Sequence, residues 1–186
     1  MINVLVILNF FISFSVTVPL PYIINNLLNL SSNQYGIIQG AFPVGMILGA
    51  VVVGKIIEKI DYMKLLIFSS ITLSVAIALL GLPLVLADAS SLAYMIYYIS
   101  IMVIFGIAIS FIDVPILWLM QKSIPDNLRG KVLSISMSIV KLIAPLGLVI
   151  SGMIINSVPV YIMTFAGGGI LMLSNLMILN QKNKPA

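Results

Sequence analysis

Six long apolar runs, set apart by short polar breaks, make up nearly the whole chain. A helix that crosses a bilayer needs about 20 predominantly apolar residues, and each run is of that size. The first span covers Asn3–Leu28, interrupted by Pro19 and Pro21, and "NLSSN" (Asn29–Asn33) follows as a turn. The second covers Gln34–Ile57 and runs into the charged stretch "KIIEKIDYMK" (Lys55–Lys64). The third covers Leu65–Ala87, with a turn at Asp88–Ser91, and the fourth covers Leu92–Met120. After the charged "QKSIPDNLRGK" (Gln121–Lys131) comes the fifth, Val132–Ile155, then a turn at Asn156–Pro159. The sixth covers Val160–Leu179, and the tail reads "NQKNKPA".

Composition agrees with the pattern. The 186 residues are 61% hydrophobic and 8% charged, with a mean hydropathy of +1.23. A soluble domain has roughly 45–50% apolar and about 25% charged residues. The chain therefore reads as one all-α, multi-pass membrane domain spanning 1–186. The first span has no basic leader and too long an apolar stretch for a signal peptide.

The net charge of +4 is a matter of topology rather than of nucleic-acid binding. Lys55, Lys59 and Lys64 lie after the second span, Lys122, Arg129 and Lys131 after the fourth, and Lys182 and Lys184 in the tail. The three remaining breaks hold no base and one acid, Asp88. With six alternating spans every basic segment falls on one side, which the positive-inside rule makes cytoplasmic. Both termini are then cytoplasmic, in a cell membrane.

The chain has no cysteine and no histidine. This removes disulfides, thiolate nucleophiles and imidazole metal sites. Only one acid, Asp113, lies deep in a span, and an aspartyl dyad needs two. No catalytic residue, metal or cofactor is expected. The phosphate-binding pattern GxxxxGK[ST] is absent, so a driving force has to come from an ion gradient or a partner.

Two stretches repeat. "PVGMILG" (Pro43–Gly49) lies in the second span and "PLGLVISG" (Pro145–Gly152) in the fifth; both read Pro-x-Gly-x-x-x-small. The two spans run in opposite directions, which is the pattern of a 3+3 inverted repeat. "SFSVTVP" (Ser13–Pro19) and "SFIDVP" (Ser110–Pro115) form a fainter pair. Small residues such as Ala41, Gly45 and Gly49 also let helices approach closely where lipid supplies no hydrophobic drive.

Several segments resemble the major facilitator superfamily. "GKIIEKIDYMK" (Gly54–Lys64) resembles, in degenerate form, the Gly-x-x-x-Asp-Arg-x-Gly-Arg-Arg loop between the second and third helices of each half. Gly54 fits; Glu58 and Lys59 stand for Asp and Arg; Asp61 stands where Gly is usual. "PDNLRGKVLS" (Pro125–Ser134) is similar to the Pro-x-x-x-Arg-Gly-Arg entry to the eleventh helix, and "APLGLVISG" (Ala144–Gly152) to that helix in efflux-type members. The resemblance runs helix for helix as helices seven to twelve, the C-terminal half of such a transporter. It implies a small-molecule substrate, protons as coupling ion and a second six-helix half: another chain, a missing N-terminal half or a second copy. It also implies that the first and fourth spans line a cavity, the second and fifth meet the other half, and the third and sixth face lipid.

Asp113 sits in "ISFIDVPILW" (Ile109–Trp118). A charge at mid-bilayer costs about 2.5–3.5 kcal/mol on insertion scales and is normally paired or faces water. Counted from the charged segment, Asp113 lies about 12 Å deep and Lys141 of the fifth span about 15 Å deep. An Asp113–Lys141 ion pair, direct or through water, follows. Two readings stand: a structural pair that orients the fourth and fifth spans, and a couple that rearranges during transport. Tyr98, Met102, Gly106, Ser110 and Asp113 share one face of the fourth span, as Asn9, Ser13 and Thr17 do in the first. The pathway candidates are thus Asp113, Lys141, Ser110, Tyr98, Asn9 and Ser13. For each hydroxyl the competing reading is a bond to its own backbone. Glu58, Lys59, Asp61, Arg129 and Lys131 are candidates for a cytoplasmic gate, against the simpler reading that the bases fix topology.

The expectation is a half-transporter that exports a small amphipathic compound in exchange for protons. A six-helix channel would instead carry a charged ring about a symmetry axis and no inverted repeat. A non-transporting membrane subunit would tolerate Asp113→Asn.

Overall fold

A computed structural model describes residues 2–57, 59–85 and 89–182. Every regular element among them is helical. Five are long and apolar enough to cross a membrane: 2–27, 32–56, 62–84, 91–123 and 126–154; a shorter apolar stretch covers Val160–Ser174.

The first span is α1 (Ile2–Ile12), a π-helical turn (Ser13–Thr17), α2 (Pro19–Pro21) and a second π-helical turn (Tyr22–Leu27). Pro19 and Pro21 lack the N–H a helix interior requires, and the widened turns lie on either side of them. The second span is α3 (Ser32–Ile56), opened by a capping box in which Ser31 and Gln34 satisfy each other's backbone N–H groups. The third is α4 (Tyr62–Leu80), capped by Asp61, whose Oδ1 accepts the Met63 N–H at 2.9 Å. The fourth is α5 (Ser91–Ser123), the fifth is α6 (Asp126–Leu142) with α7 (Ala144–Ile154), and the sixth is α8 (Val160–Lys182).

The charged segment 121–131 is not an extended loop. Helix continues to Ser123 and resumes at Asp126, leaving Ile124 and Pro125 as the turn. The fifth span therefore starts six residues before the expected Val132. The break at Ile143 falls two residues before Pro145, whose ring excludes the Lys141 carbonyl from the normal helical bond.

Packing does not follow chain order. α3 lies along α5, α4 lies between α5 and α8, and α6 and α7 lie against the first span. The α3 residues Ile38, Ala41, Gly45, Gly49 and Val53 are buried, and a Cβ on Gly45 would stand 2.9 Å from the Val103 Cα. That approach is the close backbone packing that replaces hydrophobic drive in lipid. Consecutive α5 and α6 touch little. The expectation that the fourth and fifth spans pack as near neighbours is corrected here: small residues select the partners, and the short turn joins only the helix ends.

Candidate functional site in the membrane core

Asp113 and Lys141, the charged residues deepest in the spans, line one cavity. It has a volume of about 270 Å³ and is lined by Asn9, Ile12, Phe42, Met46, Asp113 and Lys141 among others. α1, α3, α5 and α6 each contribute a wall. Three of these side chains are polar; the rest of the lining is apolar.

Lys141 is the last basic residue of α6, one turn from its broken end. Cations are favoured at a helix C-terminus by the partial negative charge of its free carbonyls. Its Nζ donates to Asn9 Oδ1 at 3.1 Å. Asn9 in turn donates through Nδ2 to the Leu5 carbonyl at 2.9 Å, which fixes the amide's orientation. No N···O distance within 4.0 Å joins Lys141 to Asp113, and among the described residues no hydrogen bond reaches the Asp113 carboxylate. Of the ion pair expected from sequence, direct or through water, the direct contact is not formed: the carboxylate on α5 and the ammonium on α6 line one cavity with no N···O distance within 4.0 Å.

The cause is packing first, since α6 lies against α1, which carries Asn9, and barely touches α5, which carries Asp113; helix starts add to it. Asp113 lies ten residues before the end of α5, about 15 Å at 1.5 Å per residue. Lys141 lies fifteen residues after the start of α6, about 22 Å. The expected match in depth depended on starting the fifth span too late.

The other candidates divide. Ser110 is buried and donates to the Met46 carbonyl at 2.8 Å, tying α5 to α3 beside the cavity. Ser13 is buried where Gly147 of α7 approaches the first span. Tyr98 is fully buried, and its hydroxyl donates to the Leu80 carbonyl at 2.9 Å. It caps the C-terminal end of α4 and lies outside the cavity. Tyr97 does the same for Leu79 at 2.6 Å. Sequence reasoning missed the contributions of Phe42 and Met46; their signal was position, one on each side of Gly45 in the packing seam.

Of the gate candidates, Glu58 lies outside the described residues. Lys59 and Lys131 are exposed. Asp61 is engaged as the α4 cap. Arg129 pairs with Asp126, one turn earlier on its own helix. Among the described residues no ion pair joins the two cytoplasmic connections.

A larger cavity, about 540 Å³, lies at the opposite end between Tyr22, Leu84, Asn156, Ser157 and Tyr161. Among the described residues it is lined by no acid or base of the kind that is costly within a bilayer, and the mid-span cavity is the better candidate.

A family model described as Major Facilitator Superfamily matches residues 2–185. No curated protein and no solved structure matches the chain.

Proposed function

The chain belongs to the major facilitator superfamily of membrane transporters, and from that premise we propose that it exports a small amphipathic compound by proton-coupled alternating access. The observation that carries the reading is the mid-span cavity with Asp113, Lys141 and Asn9 on its wall. An intramembrane charge is a functional site by default. A carboxylate without an ionic partner is suited to exchanging a proton as water access alternates. Export as the direction rests on the resemblance of Ala144–Gly152 to efflux-type members.

The transport unit includes a second six-helix half, and both termini are cytoplasmic. Exposed Ser134, Ser138 and Lys141 on α6 favour a protein neighbour over lipid alone. The cytoplasmic bases Lys59, Arg129 and Lys131, with Asp61 and Glu58, form the gate in partnership with that half.

An inverted 3+3 arrangement underlies the movement. In support of it, the second span packs on the fourth and the fifth on the first, while the third packs on the sixth. A Cβ on Gly49 would meet Ile107 and Ser110; one on Gly147 would meet Phe10 and Ser13. Ile107 and Ser110 lie 97 positions after Phe10 and Ser13 respectively, while Gly147 lies 98 positions after Gly49.

The experiment is reconstitution of the full chain into proteoliposomes with an imposed pH gradient. An amphipathic reporter dye should move only when the gradient is present, and Asp113→Asn should abolish the movement. Equal gradient-driven flux by Asp113→Asn would refute the coupling role.

A further inference from the structure

We infer that the mid-span cavity takes a compact zwitterion with an apolar body, of the kind an aromatic or branched α-amino acid represents. This rests on the transport reading above and specifies its substrate. The two charges on the wall are of opposite sign and are not within 4.0 Å of each other. The Lys141 ammonium is held by Asn9, a neutral amide that satisfies one of its three donors and none of its charge. The Asp113 carboxylate receives no hydrogen bond among the described residues. In a low-dielectric span both charges call for a counter-charge.

A purely cationic ligand balances Asp113 and adds a like charge beside Lys141. A purely anionic ligand does the reverse. A ligand with ammonium and carboxylate on neighbouring atoms bridges the open pair and neutralises both. The remaining wall, with Phe42, Met46, Ile12 and Ile109, receives an apolar side chain. Met adapts to irregular shapes, and the Phe42 ring, tilted against Phe105 with centroids 5.7 Å apart, is an aromatic surface.

Three probes share one skeleton: L-phenylalanine, 2-phenylethylamine without the carboxylate, and 3-phenylpropanoate without the amine. Binding to the full chain in lipid nanodiscs, measured by calorimetry at neutral pH, should favour phenylalanine at least tenfold over both analogues. Asp113→Asn should erase the advantage over phenylpropanoate, and Lys141→Met the advantage over phenylethylamine. Lys141→Arg keeps the charge and should retain the preference, which separates loss of recognition from loss of folding. A singly charged analogue that binds as tightly as phenylalanine overturns the inference, and so does failure of all three to bind. Dye flux driven by the pH gradient, alongside either result, leaves the transport reading standing. The expected binding pattern without any gradient-driven flux sinks the transport reading and upholds the zwitterion site.

Discussion

The contact between α7 and the first span offers the sharpest test of how packing holds the site. A Cβ on Gly147 would stand 2.6 Å from the Phe10 carbonyl oxygen and 3.0 Å from the Ser13 Cβ, where ordinary contact begins at 3.4 Å. Gly147→Ala therefore forces the two segments apart by about 0.8 Å, the difference between those contact distances. The obstacle is a backbone carbonyl, which cannot rotate aside. Overpacking of this kind costs about 1–3 kcal/mol, and alanine's helix propensity returns at most about 1 kcal/mol. With the full offset the net loss is about 0–2 kcal/mol on these two terms. Gly152, five residues further along α7, has nothing within 4 Å of the same added carbon; Gly152→Ala should be neutral or gain up to about 1 kcal/mol. Unfolding in mixed micelles, titrated with SDS and followed by Trp118 fluorescence, measures both. The same displacement stretches the 3.1 Å bond from Lys141 to Asn9, so Gly147→Ala should also weaken ligand binding. Equal stability of the two alanine variants would refute the close approach.

Two further outcomes follow from the placement of polar groups. Lys141→Met leaves Asp113 as a lone charge in a span, at a cost of up to about 2.5–3.5 kcal/mol, and adding Asp113→Asn should recover part of the loss in the same titration; a double variant no more stable than Lys141→Met alone contradicts the electrostatic linkage. Tyr98→Phe removes the donor to the Leu80 carbonyl and should cost about 1 kcal/mol with gradient-driven flux unchanged, whereas lost flux in a folded protein would return Tyr98 to the pathway.

The class of protein was legible because it depends on sums over many residues. Apolar runs of membrane length and one-sided bases survive small errors at helix ends. The site depended on individual register, and there the sequence was less informative. Asp113, Lys141 and Asn9 stand out as polar residues in apolar runs, and all three line one cavity. Which of them touch turned on which helices pack: α6 lies on α1 and barely touches α5. Charged residues at Asp126–Lys131 resemble a loop, yet Pro125 starts a helix there, since its fixed φ suits the residue ahead of the first turn and Asp126 favours a helix N-terminus. Tyr98 shared a face with Ser110 and Asp113, but over the length of α5 that face passes from the cavity to the end of α4. One-dimensional periodicity does not carry that distinction.

The two charges are not equivalent, and the difference follows from two prolines. Pro145 ends α6 just after Lys141, so the ammonium has a helix C-terminus beside it as well as Asn9 in front. α5 continues through Pro115, two residues beyond Asp113. The missing N–H of Pro115 leaves the Phe111 carbonyl without its helical donor, and the helix nevertheless runs on past it. The lysine is held in place by Asn9; the aspartate, which receives no hydrogen bond among the described residues, is the group left open to a ligand's ammonium. An exchange cycle needs one fixed charge and one that changes partners; on the proposed reading Lys141 takes the fixed role and Asp113 the variable one.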